Sequence, residues 1–173
     1  MKTWDPNDKN VCNYKGFSCS LYPADKQQTV AGVDFNGFEF TGKEGEGLTL
    51  YGFIENLTNI TTFHANSNGF TGGIPKEIFA IPYFFELDLS NNKLSSLFPQ
   101  EILGAKKLTC LDLRLNSFFG AVPPELFTLD VDTIFLNNNY FDQNLPNNIG
   151  ATPAIYITLQ SNKFTGPIPK SIG

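Results

Sequence analysis

The sequence predicts an α/β solenoid of about six coils, with a parallel sheet lining its concave face and a disulfide cap at its N-terminal end. Three observations carry that class. An Asn is followed seven residues later by a Pro five times, at Asn68/Pro75, Asn92/Pro99, Asn116/Pro123, Asn139/Pro146 and Asn162/Pro169, and the copies step by 24, 24, 23 and 23 residues. The same apolar positions recur around each Asn. Cys12 and Cys19 stand just ahead of the first coil. A fixed period of roughly 20–50 residues is the signature of stacked units, each unable to bury its apolar face alone.

Residues 1–28 read as a capping segment and residues 29–173 as one continuous solenoid. A solenoid end exposes apolar edge residues and needs a cover. The stretch VCNYKGFSC, close behind Trp4, supplies one if Cys12 and Cys19 pair, and such a pair implies an oxidising compartment. A metal site is the weaker reading, because two Cys and one distant His give too few ligands. Met1-Lys2 runs straight into Trp4, Asp5 and Pro6, so no secretion signal is apparent; the chain reads as cytosolic or as a mature segment with an added start Met, and the cysteines favour the second.

The first coil is degenerate. Val33-x-Phe35 fits its strand and Phe40-x-Gly42 its turn, with Phe38 where the Asn belongs. From Val33 to Phe63 is 30 residues, which places an insertion of about six residues within Lys43 to Asn56, read as a projecting loop. The five regular coils follow. Their strands show apolar-x-apolar pairs: Phe63/Ala65, Leu87/Leu89, Leu111/Leu113, Ile134/Leu136 and Ile157/Leu159. Each Asn is followed at the second position by Phe70, Leu94, Phe118, Phe141 or Phe164, and at the tenth by Ile78, Ile102, Leu126, Ile149 or Ile172. Together these columns resemble the leucine-rich repeat, one short strand and one irregular or helical return per coil. Gly-x-apolar-Pro at Gly72, Gly120 and Gly166 resembles the plant-type subclass, although Ser96 and Gln143 replace that Gly elsewhere. The Asn column reads as structural, because a buried amide can satisfy the backbone groups left without ladder partners at the strand end. The Phe column reads as core. The array stops at Ile172-Gly173 without a capping pattern, which reads as a truncated array.

Parallel neighbours lie ~4.8 Å apart, so equivalent strand positions form columns across the coils. The central column reads Asp34, His64, Asp88, Asp112, Phe135, Thr158; before it stand Gly32, Thr62, Glu86, Cys110, Thr133, Tyr156; after it Asn36, Asn66, Ser90, Arg114, Asn137, Gln160. A last column beside the Asn ladder reads Gly37, Ser67, Asn91, Leu115, Asn138, Ser161. The candidate ligand-binding residues are His64, Glu86, Asp88, Asp112, Arg114, Phe135, Asn137 and Tyr156: an acidic centre, the only arginine, and aromatics toward the C-terminal coils. Aromatic groups beside charges suit a partner's anchor residues. The plainer alternative is that Arg114 neutralises Asp88 and Asp112 while the aromatics pack on each other. Cys110 reads as an outward free thiol or as one whose partner lies elsewhere.

With a net charge of −5 and an acidic centre, the chain favours a secreted, basic peptide or protein, or alternatively a neutral wall glycan, over nucleic acid. No apolar run approaches the ~18 residues of a membrane span. The neighbouring carboxylates Asp88 and Asp112 resemble the pair of a retaining glycosidase, but an open sheet face offers no water-excluding pocket to raise one of them, so no catalysis and no cofactor are expected. An ice-binding or purely structural array needs flat Thr/Asn rows on the flank, which Thr71, Ser95, Phe119, Asp142 and Thr165 do not make. Two glycosylation sequons, Asn56-Leu57-Thr58 and Asn59-Ile60-Thr61, fit an extracellular surface.

The phrases FHANSNGF, FELDLSNNKL, LDLRLNSFFGAVPPELF and IFLNNNYF, with VCNYKGFSC and VAGVDFN, resemble the repeat domain of plant leucine-rich repeat extensins from about Trp4 to Pro169. The likeness to polygalacturonase-inhibiting proteins is looser. The resemblance implies an extracellular, cell-wall recognition module for small basic signalling peptides of the rapid-alkalinization type, or an inhibitor of a wall-degrading enzyme. The family's array is about twice as long and continues into a Cys-bearing cap and a Pro-rich tail, and the Lys43–Asn56 insertion is foreign to it.

Overall fold

The computed structural model describes residues 4–172; the Met1-Lys2 start and the final Gly173 lie outside them. The strands run, in chain order, β1 Phe17–Leu21, β2 Gln28–Asp34, β3 Leu48–Thr49, β4 Thr62–His64, β5 Phe70–Gly72, β6 Glu86–Asp88, β7 Lys93–Leu94, β8 Cys110–Asp112, β9 Phe119–Gly120, β10 Thr133–Phe135, β11 Tyr140–Phe141 and β12 Tyr156–Thr158. One sheet takes β1-β2-β4-β6-β8-β10-β12 in that order. From β2 onward every pairing is parallel, and β1 closes the N-terminal edge by pairing antiparallel with β2. Two short flank sheets, β3-β5-β7 and β9-β11, contain the strands that follow Asn68, Asn92, Asn116 and Asn139, with β3 joining from the first coil.

The return of each coil is one short 3-10 element of three to five residues, and no α-helix occurs among the described residues. The Pro of the Asn–Pro period explains this. Pro75, Pro99, Pro123, Pro146 and Pro169 present their carbonyls to the N–H groups of Ile78, Ile102, Leu126, Ile149 and Ile172, closing 3-10 turns. A coil that must return to its strand within 23 or 24 residues has no length left for several α-turns. The solenoid is of the predicted class, with this tight turn as its helical half.

The Asn ladder is the seam of the array. Asn68, Asn92, Asn116, Asn139 and Asn162 each accept through Oδ1 from the coil before: from Phe40 N, Phe70 N, Leu94 N, Phe118 N and Phe141 N, at 2.8–3.1 Å. Each donates through Nδ2 to a preceding-coil carbonyl as well, at Phe35, Ala65, Leu89, Leu113 and Leu136. One side chain thus satisfies a donor and an acceptor that no ladder reaches. Behind the ladder the rings of Phe118, Phe141 and Phe164 stack at 6.5 Å between successive centroids.

At the N-terminal end Cys12 and Cys19 form the expected disulfide, with Cα atoms 5.7 Å apart. Trp4 lies over the edge of the core, 5.8–6.1 Å from the rings of Tyr14, Phe17, Phe35 and Phe40. The insertion has about the predicted size and falls at the front edge of the Lys43–Asn56 window. Phe40 still meets Asn68 as a regular coil residue, the chain loops out over 41–47 around a turn closed by Glu46 N donating to Lys43 O, and Leu48 and Thr49 rejoin the stack opposite Phe70 and Thr71. Leu50 and Ile54, later in that window, are ordinary core residues.

Candidate functional site

The concave columns are in the register that the repeat arithmetic requires. Asp34, His64, Asp88, Asp112, Phe135 and Thr158 stand directly opposite one another from β2 to β12, and Gly32, Thr62, Glu86, Cys110, Thr133 and Tyr156 do likewise. Residues 124 positions apart in the chain therefore share one strip, roughly 24 Å long for six parallel strands.

Three contacts organise its acidic centre. His64 Nε2 lies 3.0 Å from Glu86 Oε2, with both side chains about one-third exposed. Asn66 donates to Asp88 Oδ2 at 2.9 Å. Arg114 Nε meets Asp112 Oδ2 at 3.1 Å, and its guanidinium carbon sits 5.1 Å from the centroid of the Phe135 ring. The arginine thus pairs with Asp112 and stacks on Phe135; Asp88 is held by an amide instead. The aspartates also have a backbone task that the sequence does not announce. Asp34, Asp88 and Asp112 each accept, through Oδ1, the N–H two residues on, at Asn36, Ser90 and Arg114, an Asx-type bond that fixes the strand exit.

Asp112 is nearly enclosed by its neighbours. Burial, reinforced by the Asp88 charge, pushes its carboxyl up to about 6 against the pull of the Arg114 N–H and guanidinium. Cys110 is a half-buried free thiol, raised to about 11 by burial and by the charges of Glu86, Asp112 and Asp88. A thiol held protonated in this way is a poor nucleophile. Asn137 is buried, donates to Asn138 Oδ1 at 2.7 Å and accepts from the Thr158 hydroxyl; its amide braces the surface from beneath. Tyr156, by contrast, is 63% exposed.

One feature of the strip was illegible in the sequence. The column beside the ladder, Gly37, Ser67, Asn91, Leu115, Asn138 and Ser161, has φ between +53° and +65° at every position. Gly, Asn and Ser tolerate that left-handed conformation better than a branched apolar residue does. Leu115 adopts it at φ +56° while remaining 46% exposed, so burial does not offset its strain.

Other concavities lie away from the strip's centre. One, about 510 Å³, is on the return side between Tyr51, Glu55, Lys76 and Glu101. A second, about 440 Å³, touches the first-coil end at Asp34 and Asn36. Among the described residues no group of three or more His, Cys, Asp or Glu is placed to hold a metal ion, and no helix is long and apolar enough to cross a membrane.

Comparison with known proteins agrees with this architecture. The Leucine Rich Repeat family model matches residues 85–104. The chain is 42% identical to leucine-rich repeat extensin-like protein 4 of Arabidopsis thaliana over 176 residues, covering 97% of this chain and 34% of that protein. It is 43% identical to leucine-rich repeat extensin-like protein 3 of the same plant over 178 residues, covering 97% and 22%. It spans about a third or less of the length of these curated relatives. Among solved structures it is similar to the Arabidopsis receptor kinase HAESA in complex with the peptide hormone IDA and the co-receptor SERK1, at 27% identity and TM-score 0.69 over 82% of this chain and 22% of that one. It is also similar to a plant ice-binding protein, at 25% identity and TM-score 0.81 over 99% and 53%.

Proposed function

The chain is a plant-type leucine-rich repeat solenoid, similar over nearly all of its length to part of the leucine-rich repeat extensin-like proteins, and from that premise we propose that it is a secreted, non-catalytic recognition module of the cell wall. It binds a peptide or protein on the concave strip. Glu86, Asp88 and His64 form the acidic half of the contact surface, and Arg114, Leu115, Phe135 and Tyr156 the apolar and aromatic half; Asp112 and Asn137 hold these groups in place. The ligand this surface suits is a small secreted peptide with a basic group next to an apolar one. The observation that carries the reading is Leu115, an exposed apolar residue kept in a strained conformation on the very strip where the charges gather. A solenoid selected for stability alone would place Asn or Gly there.

The neutral wall-glycan reading rests on the exposed ring of Tyr156. The likeness to an ice-binding protein finds less support on the flank: Thr49 and Thr71 stand in register, but Lys93 follows, and the next row runs Leu97, Phe119 and Tyr140.

Panning a random peptide library against the immobilised chain tests the proposal. Enriched peptides are expected to carry Lys or Arg beside an apolar residue. Their affinity is expected to fall about tenfold, or about 1.4 kcal/mol, against Glu86→Lys/Asp88→Lys. Leu115→Asn is expected to weaken the same peptides while raising stability by about 1 kcal/mol through relief of the left-handed strain. Peptides that bind both variants as they bind the parent chain would remove the concave strip from consideration. Binding of neutral wall oligosaccharides that is lost in Tyr156→Ala would replace the peptide reading by the glycan one.

A further inference from the structure

We infer that Asn56 carries an N-linked glycan and that Asn59, three residues on, does not. The two sequons look alike in sequence, and the fold separates them. Asn56 closes the 3-10 turn Ile54–Asn56 on the return side of the first coil, exposed, with its amide donating only to Gly52 O within the same loop. Thr58, which completes its sequon, is also exposed. A sugar on Asn56 has solvent to occupy and breaks no hydrogen bond between coils.

Asn59 is placed differently. It is half-buried, and its Nδ2, the atom that would bear the sugar, points at Thr29 Oγ1 of β2 at 3.3 Å. The residues after it are clamped to the same strand: Ile60 is fully buried, and Thr61 donates to Ala31 O through both its backbone N–H and its hydroxyl, at 2.6 and 2.9 Å. A sugar ring on Asn59 would have to part this return from β2, opening the first coil.

The transfer acts on the chain before it folds, so accessibility in the fold is not the whole argument. The Asn56 sequon is made first, and once occupied it crowds a second transfer three residues away. Chains modified at Asn59 instead meet the steric cost above when they fold. In the reaction the Asn56 Nδ2 attacks the anomeric carbon of an oligosaccharide held on a lipid pyrophosphate. The N–C bond forms, the C–O bond to phosphate breaks, the lipid pyrophosphate leaves, and the amide proton passes to it by way of the transferase's base. The donor and transferase are those of the secretory route, so the inference rests on secretion and not on the identity of any ligand. A glycan here stands on the return side, away from the concave columns, and leaves them open.

The test is glycopeptide mapping by mass spectrometry on the chain secreted from a eukaryotic cell. One glycan per chain, on Asn56, is expected, and the mobility shift caused by deglycosylation should vanish in Asn56→Gln but persist in Asn59→Gln. A glycan on Asn59 of the parent chain, on both residues, or on neither would overturn the inference. Mapping the parent chain decides the matter even if a variant fails to fold.

Discussion

Asp112 accepts the Arg114 N–H at the strand exit, pairs with its guanidinium and thereby aims the arginine at Phe135, all from a position that neighbouring coils have almost sealed. Burial disfavours its ionised form more than the arginine restores it, which is why its pKa stands at about 6 instead of 3.8. Because the folded pKa lies above the unfolded one, the native state holds more protons than the unfolded state between about pH 4 and 6. Stability due to this group is therefore greatest below pH 4, falls as pH rises through that window and levels off above it, by roughly 3 kcal/mol at most. Asp112→Asn keeps the acceptor for the Arg114 N–H and cannot ionise. Thermal melts from pH 4 to 7 should show the parent chain losing stability relative to the variant between pH 4 and 6; parallel curves would mean that Asp112 titrates normally. The columns that gather these groups were readable from repeat spacing alone. Which carboxylate the arginine chooses was not, because Asp112, two residues back on its own strand, and Asp88, on the neighbouring strand, both stand in the adjacent column, and only the side-chain directions decide.

Among the elements, the Asn ladder is where sequence and structure correspond most closely, and for a physical reason. Only a side chain with both a donor and an acceptor can serve Leu94 N and Leu89 O together, as Asn116 does at 3.0 and 2.9 Å, so the requirement shows as an invariant letter at a fixed period. Asn116→Ala leaves both groups buried and unpaired, and a loss of about 3 kcal/mol in urea denaturation is expected. A loss under about 1 kcal/mol would show that water enters and replaces the amide. The left-handed column gave no such signal: Gly, Ser, Asn and Leu share a backbone angle there and no side-chain chemistry. The insertion was legible in size and not in place, because Leu48 and Leu50 continue the apolar pattern that Phe40 begins, and sequence spacing alone does not tell which of them follows the gap.

At the scale of the whole molecule, a solenoid's stability is a sum over coils and the interfaces between them, so it need not be uniform along the axis. The middle coils are covered on both sides: Leu87, Leu111, Ile134 and Phe118 are fully buried. The first coil is covered by the cap, through Trp4 and the β1–β2 hairpin. In the last coil the core-type positions Ile168 and Ile172 are 74% and 52% exposed, and Ile157 is only partly buried. Hydrogen exchange should therefore be slowest in β6, β8 and β10 and should quicken toward β12 and the Lys170–Ile172 turn, the last coil opening without the rest. Core truncations should follow the same gradient. Leu111→Ala, with a coil on each side, should cost about 3–5 kcal/mol, whereas Ile157→Ala should cost less than about 2 kcal/mol, because its site is already partly open to water. Equal protection from β4 to β12, with equal costs for the two truncations, would mean that the coils fold as one indivisible unit, and the additive picture of this array would fail.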